Sequence, residues 1–232
     1  ISGYFATPLA YVFIVIFLVM SGIFTFDMGG FYVRGQADLM PFFSFHPWLY
    51  LFMIPAIAMG LWADERKSGT IELLMTLPVT LSDAVLGKFL AAWVLSGVAL
   101  LLTFPIWITV NWLGDPDNLT ILSGYIGAFL VCCTFLAITL LVSAFTRDQV
   151  ICLVISAAIC IVLVLGTFEP FVQSYSKALS DWMVSAITAV GVWDHYLSLA
   201  RGLFRTQDFV WFTTITVACL FGTSRSEEHT SE

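Results

Sequence analysis

Charge is scarce in this chain. Of its 232 residues only 11% are Asp, Glu, Lys or Arg, against roughly a quarter in soluble globular domains. No basic cluster is present, which removes the electrostatic footprint of a nucleic-acid binder. No G-x-x-x-x-G-K-[ST] occurs, so the chain has no P-loop with which to cradle ATP phosphates. A nucleophile elbow and H-E-x-x-H are both missing. The five cysteines, Cys132, Cys133, Cys152, Cys160 and Cys219, form no CxxC and no Cys/His metal spacing. All lie in apolar runs, where a thiol acts as a small apolar side chain. Asp194 and His195 are neighbours and read as a solvated pair. No catalytic residue, metal or cofactor is expected, and the chain is not read as an enzyme.

Apolar residues take the place of the missing charge. They make up 59% of the sequence, with a mean hydropathy of +0.95, the composition of a multi-pass membrane protein. A spanning helix needs about 20 mostly apolar residues. Candidate spans are 8–26, 41–62, 84–113, 119–145 and 150–168, with a sixth starting near Phe209 and running to about Ser224. The loops between them carry turn chemistry, such as "GDPDN" at 114–118 and "TRDQ" at 146–149. Between Glu169 and Asp208 the longest apolar stretch, 182–192, is too short to cross. Interfacial or re-entrant helices are expected there, with Trp182, Trp193 and Tyr196 at headgroup level.

The spans themselves are nearly free of ionisable side chains. The first, fourth and fifth contain no Asp, Glu, Lys, Arg or His, the second has His46 near one end, and the third has Lys88 one turn from its start. A lysine there can extend to the interface. Ion-coupled carriers usually place acidic or histidine ligands at mid-membrane, so this pattern argues against one. Basic residues do not orient the chain. Arg66, Lys67, Lys88 and Arg147 fall on one side, and Arg34, Lys177, Arg201 and Arg205 on the other. The net charge of −7 is scattered over loops.

Both termini are unusual. The chain opens at Ile1 and enters an apolar run by Pro8 without a basic leader. The closing "RSEEHTSE", 225–232, is abruptly hydrophilic and resembles a translated sequencing adapter. It is treated as a non-native scar, so residues 1–224 are expected to form one transmembrane domain truncated at both ends.

The most charged stretch lies between the second and third spans. "ADERKSGTIELLMTLPVT", 63–80, holds Asp64, Glu65, Arg66, Lys67 and Glu72. Asp64 can cap a helix whose first turn Glu65 favours. Ile71, Leu74 and Met75 share one face, and Pro78 stops the helix. Gly69 interrupts it at a cost of about 1 kcal/mol against alanine. A capping-box form, Thr80 to Asp83, then opens the third span. Periodicity alone leaves this segment as either an interfacial helix or a docking helix.

Its residues narrow that choice. "E-x-x-x-G-T-x-E-x-L-x-x-x-P", met by Glu65, Gly69, Thr70, Glu72, Leu74 and Pro78, resembles the segment after the second span of ABC-2-type transporter permeases. "YFATPLAYVFIVIFLVMSGIFTF", 4–26, resembles the opening of the same family, and "HYLSLARGLFRTQDFVWF", 195–212, the part before its last span. The nearest style is that of the gliding-motility and related bacterial exporter permeases. The resemblance implies an all-α fold of six transmembrane helices, of the type V exporter kind, in the bacterial cytoplasmic (inner) membrane. It implies a second permease subunit, identical or not, and a separate ATP-binding-cassette ATPase. The ATPase-coupling helix would carry Asp64, Glu65, Ser68, Gly69, Thr70, Glu72 and Leu74, and 169–208 would lie on the extracytoplasmic side. Two other readings stay open: an ATP-independent channel or secondary carrier, and a structural membrane component of a motility or secretion machine.

Overall fold

In hydrocarbon each backbone N–H and C=O must be satisfied within the protein, so long apolar segments form helices. The computed structural model describes residues 8–63, 81–177 and 179–231, and these are helical with no strand among them. The helices are α1 (Pro8–Ile23), α2 (Phe31–Arg34), α3 (Met40–Ala58), α4 (Leu81–Leu101), α5 (Phe104–Leu113), α6 (Asn118–Phe145), α7 (Gln149–Leu165), α8 (Glu169–Tyr175), α9 (Asp181–Val190), α10 (Val192–Ala200) and α11 (Thr206–Ser231). Among the described residues four stretches are long and apolar enough to cross a membrane: Ala10–Arg34, Met40–Ala63, Ser82–Leu113 and Asn118–Phe145. A fifth arises if α7 and α8, bent by 82° at their junction, count as one.

Polar side chains repair the ladder where these helices bend. At the end of α1 the backbone widens into a π-turn, Phe24–Met28, and the buried Thr25 hydroxyl donates to the Ser21 carbonyl at 2.6 Å. Between α4 and α5 the cause is Pro105, which has no N–H to continue the ladder. There the Thr103 hydroxyl donates to the Leu100 carbonyl at 2.6 Å and meets the Tyr125 hydroxyl at 3.1 Å. Aspartates at the loops start the next helices. Asp117 accepts from the Leu119 and Thr120 N–H groups to cap α6, and Asp148 accepts from those of Val150 and Ile151 to cap α7.

Helix α6 is the centre of the bundle. It packs against α3, α4, α7, α10 and α11, and 72% of its most apolar window is buried, against 22% for the first candidate span. Small residues permit this, as they do at membrane helix contacts generally. A Cβ on Gly124 would lie 2.5 Å from the Phe43 ring, and one on Gly127 would lie 3.0 Å from Leu199. The Phe43 ring is itself enclosed by Phe42, His46 and Tyr125. The Tyr196 hydroxyl of α10 donates to the Phe43 carbonyl at 2.6 Å, fastening α10 to α3 across α6.

Gly124→Ala should therefore displace a buried ring and destabilise the fold by about 1–3 kcal/mol. Gly22→Ala, on α1 with nothing within 4 Å of the new methyl, should be neutral or slightly stabilising. Thermal unfolding of the two variants in detergent checks the contrast, and equal melting points would contradict it.

Candidate functional site

The residues expected to form the coupling helix, Asp64, Glu65, Ser68, Gly69, Thr70, Glu72 and Leu74, lie outside the described residues, as does the capping Thr80. What is described is the structure that holds the root of this segment. Pro55 leaves α3 without one backbone donor, and the helix turns at Met59 before continuing to Ala63. Ser143 of α6 enters the ladder there, a recognised cause of bending. Its Oγ accepts from the Trp62 and Ala63 N–H groups, both at 3.1 Å, and its hydroxyl donates to the Met59 carbonyl at 3.0 Å. Ser143 is fully buried, as are Trp62 and Ala63.

Lys88 of α4 closes the site. Rather than only extending to the headgroups, it turns onto the end of the preceding span. Its Nζ donates to the Leu61 carbonyl at 2.7 Å and sits 3.5 Å from the centroid of the Trp62 ring. Both contacts suit a cation at the C-terminal end of a helix, where unsatisfied carbonyls concentrate negative potential, and the indole face adds attraction. The root of segment 64–80 is thus tied to the central helix through Ser143 and to the start of the next span through Lys88. Sequence reasoning singled out Lys88 but not its partners, and it missed Ser143. The available signal was weak, since Ser143 is one of several hydroxyl residues, with Thr120, Ser123, Thr134 and Thr139, in a span free of charge.

A second polar cluster lies at the other end of the bundle, where α10 meets the start of α11. His195 Nδ1–H donates to Asp208 Oδ1 at 2.7 Å, and the Ser198 hydroxyl donates to Asp208 Oδ2. Asp208 is buried, and the imidazole stacks on Trp211 with centroids 4.9 Å apart. The partner of His195 is therefore Asp208, thirteen residues away, and not its neighbour Asp194. Burial pushes the Asp194 carboxyl up, His195 opposes that shift, Glu169 adds to it and Arg201 opposes it. Serine, histidine and aspartate are the residue types of a hydrolase triad, but the connectivity differs. A triad needs the hydroxyl to donate to the imidazole, whereas here both groups donate to the carboxylate. The cluster is a clasp between two helices.

Among the described residues no group of three His, Cys, Asp or Glu side chains is placed to hold a metal ion. The cysteines are unpaired, and each is buried or half-buried within its helix.

The helices define a multi-pass α-helical membrane protein in which residues 59–63, at the end of the second span, are held by Ser143 and Lys88. The family model described as ABC-2 family transporter protein matches residues 5–189, and the chain belongs to that family. It is a permease component of an ATP-binding-cassette transporter. No curated protein matches the chain.

Ser143→Ala should leave two buried N–H groups without their acceptor and cost about 1–3 kcal/mol. Asp208→Asn cannot accept equally from both His195 and Ser198, and a similar loss is expected. Unfolding midpoints in detergent test both. Wild-type stability in Ser143→Ala would show that the hydroxyl does not carry the turn at Met59.

Proposed function

We propose that the chain is the membrane subunit of an exporter, driven by a separate ATPase that engages segment 64–77. The observation that carries this reading is the clamped root, Met59–Ala63 with Ser143 and Lys88. A segment docked on a moving partner transmits displacement only if its base is fixed to the spans. Here the base is fixed to α6, the helix that packs against α3, α4, α7, α10 and α11. Closure of the ATPase would then bias the bundle between two arrangements through differential contacts at the segment. The chain pairs with a second permease subunit in the bacterial cytoplasmic membrane. It crosses six times, with 63–83 and 146–149 on the cytoplasmic side and 27–40 and 169–208 on the opposite side. Spans nearly without charge suit a hydrophobic or amphipathic cargo.

The polar face of 64–77 separates a docking helix from an interfacial one. A helix lying on the membrane should accept a surface charge change within about 0.5 kcal/mol. One seated in a protein groove loses about 2–5 kcal/mol when an unpaired charge is buried there. Glu72→Lys and Gly69→Leu should leave the full-length permease folded, yet weaken co-purification with its ATPase and uncouple ATP hydrolysis from transport. Lys88→Met, which keeps the stem but loses the donor to Leu61, should uncouple without weakening co-purification. Normal association and transport in all three variants would overturn the coupling role, and transport without ATP would identify a channel or carrier.

For topology, a single cysteine at 68 on a cysteine-free background should resist labelling from outside intact cells. Ready labelling there would reverse the orientation.

A further inference from the structure

At the end of the bundle opposite Ala63, three loops converge on a cavity of about 230 Å³. Two glycines allow the approach. A Cβ on Gly114 would lie 2.5 Å from that of Ala37, and Gly202, at φ +81°, would bring one to 2.6 Å from the Thr120 hydroxyl. The cavity floor is apolar and buried, formed by Leu39, Phe43 and Ile121, and its rim carries Asp38, Asp117 and Arg201. The two carboxylates already serve the helix starts: Asp38 accepts from the Met40 N–H, and Asp117 accepts from those of Leu119 and Thr120. Neither helix terminus is therefore itself on offer to a ligand. Asp38 also pairs with Arg34 at 3.6 Å. Arg201 is exposed and lines the cavity; its charge acts on the Asp194 carboxyl, but its guanidinium makes no hydrogen bond or ion pair among the described residues.

The surroundings indicate the depth. Tyr32 and Trp112, near the same loops, are 65% and 91% exposed, and exposed tyrosine and tryptophan mark the membrane–water interface. The volume is below the roughly 300–1,000 Å³ of pockets for drug-sized ligands, which suits a headgroup better than a whole cargo. We propose that this cavity binds the headgroup of a phosphatidylethanolamine-type lipid from the leaflet opposite Ala63. The phosphodiester lies on the Arg201 guanidinium, whose planar fork matches phosphate oxygens. The primary ammonium lies against the Asp117 and Asp38 carboxylates, and the first methylenes rest on the apolar floor. A quaternary ammonium has no N–H to donate to those carboxylates, and a glycerol headgroup has no cation.

Native mass spectrometry of the full-length permease, titrated with short-chain phosphatidylethanolamine, phosphatidylcholine and phosphatidylglycerol, tests this assignment. One phosphatidylethanolamine per subunit should bind about tenfold more tightly than either other lipid, as expected for a charge-assisted contact. Arg201→Gln should weaken that binding about tenfold. Asp117→Asn, which keeps an equally good helix cap and hence the melting point, should abolish the preference over phosphatidylglycerol. Equal binding of the three lipids by the wild type, or unchanged binding in Arg201→Gln, would overturn the proposal. Displacement of the lipid by equimolar soluble phosphoethanolamine would also overturn it, by assigning the site to a solute.

Discussion

The close approach of α6 to its neighbours is the contact on which the rest of the bundle depends. Association of helices in lipid gains little from the hydrophobic effect, so it rests on packing and on a few polar contacts. Gly124 and Gly127 bring Phe43, Tyr196 and Leu199 onto the helix surface, and the Tyr196 hydroxyl ties α10 to α3 over that surface. Asp117 begins the helix, and Ser143 near its end reaches into α3. One helix therefore carries the packing centre and the anchor of the charged segment.

The same solvent explains the placement of the polar side chains. A bend in a membrane helix frees backbone groups that no water is present to satisfy. Three breaks in the helices have a hydroxyl beside them: Thr25 at the π-turn, Thr103 before Pro105, and Ser143 at Met59. The half-buried Lys88 and the buried Asp208 follow the same logic. Lys88 lies on a carbonyl and an indole face, and Asp208 receives two donors. At the root of segment 64–80 this requirement has a mechanical consequence, because the groups that repair the bend come from other helices. The end of α3 cannot shift without disturbing α6 and α4.

Much of the fold was legible in the chain. The apolar runs announced the helices, and "GDPDN" and "TRDQ" marked the turns before α6 and α7, whereas the break between α4 and α5 falls inside the stretch read as one span, 84–113. The family was suggested by the resemblance of the charged segment and of the two end stretches, and the match over residues 5–189 shows it. The polar contacts were not legible. Ser143 and Trp62 are 81 residues apart and Tyr196 and Phe43 are 153 apart, and no periodicity links such positions. His195 shows the same limit at short range. Its sequence neighbour Asp194 was the evident partner, yet the turn between α10 and α11 delivers Asp208 instead.

By itself, then, the amino-acid order determined the solvent and the helical class, and its resemblance to a known family pointed to the one that the match over residues 5–189 shows. The first two follow from side-chain polarity and backbone preference read over a few neighbouring residues. Tertiary structure decided which helix is central, which residues hold the end of the second span, and which carboxylate holds His195. Those outcomes depend on which helix faces approach closely enough for a ring to sit on a glycine or a hydroxyl to reach a distant carbonyl. Such distances are set by the packing of the whole bundle.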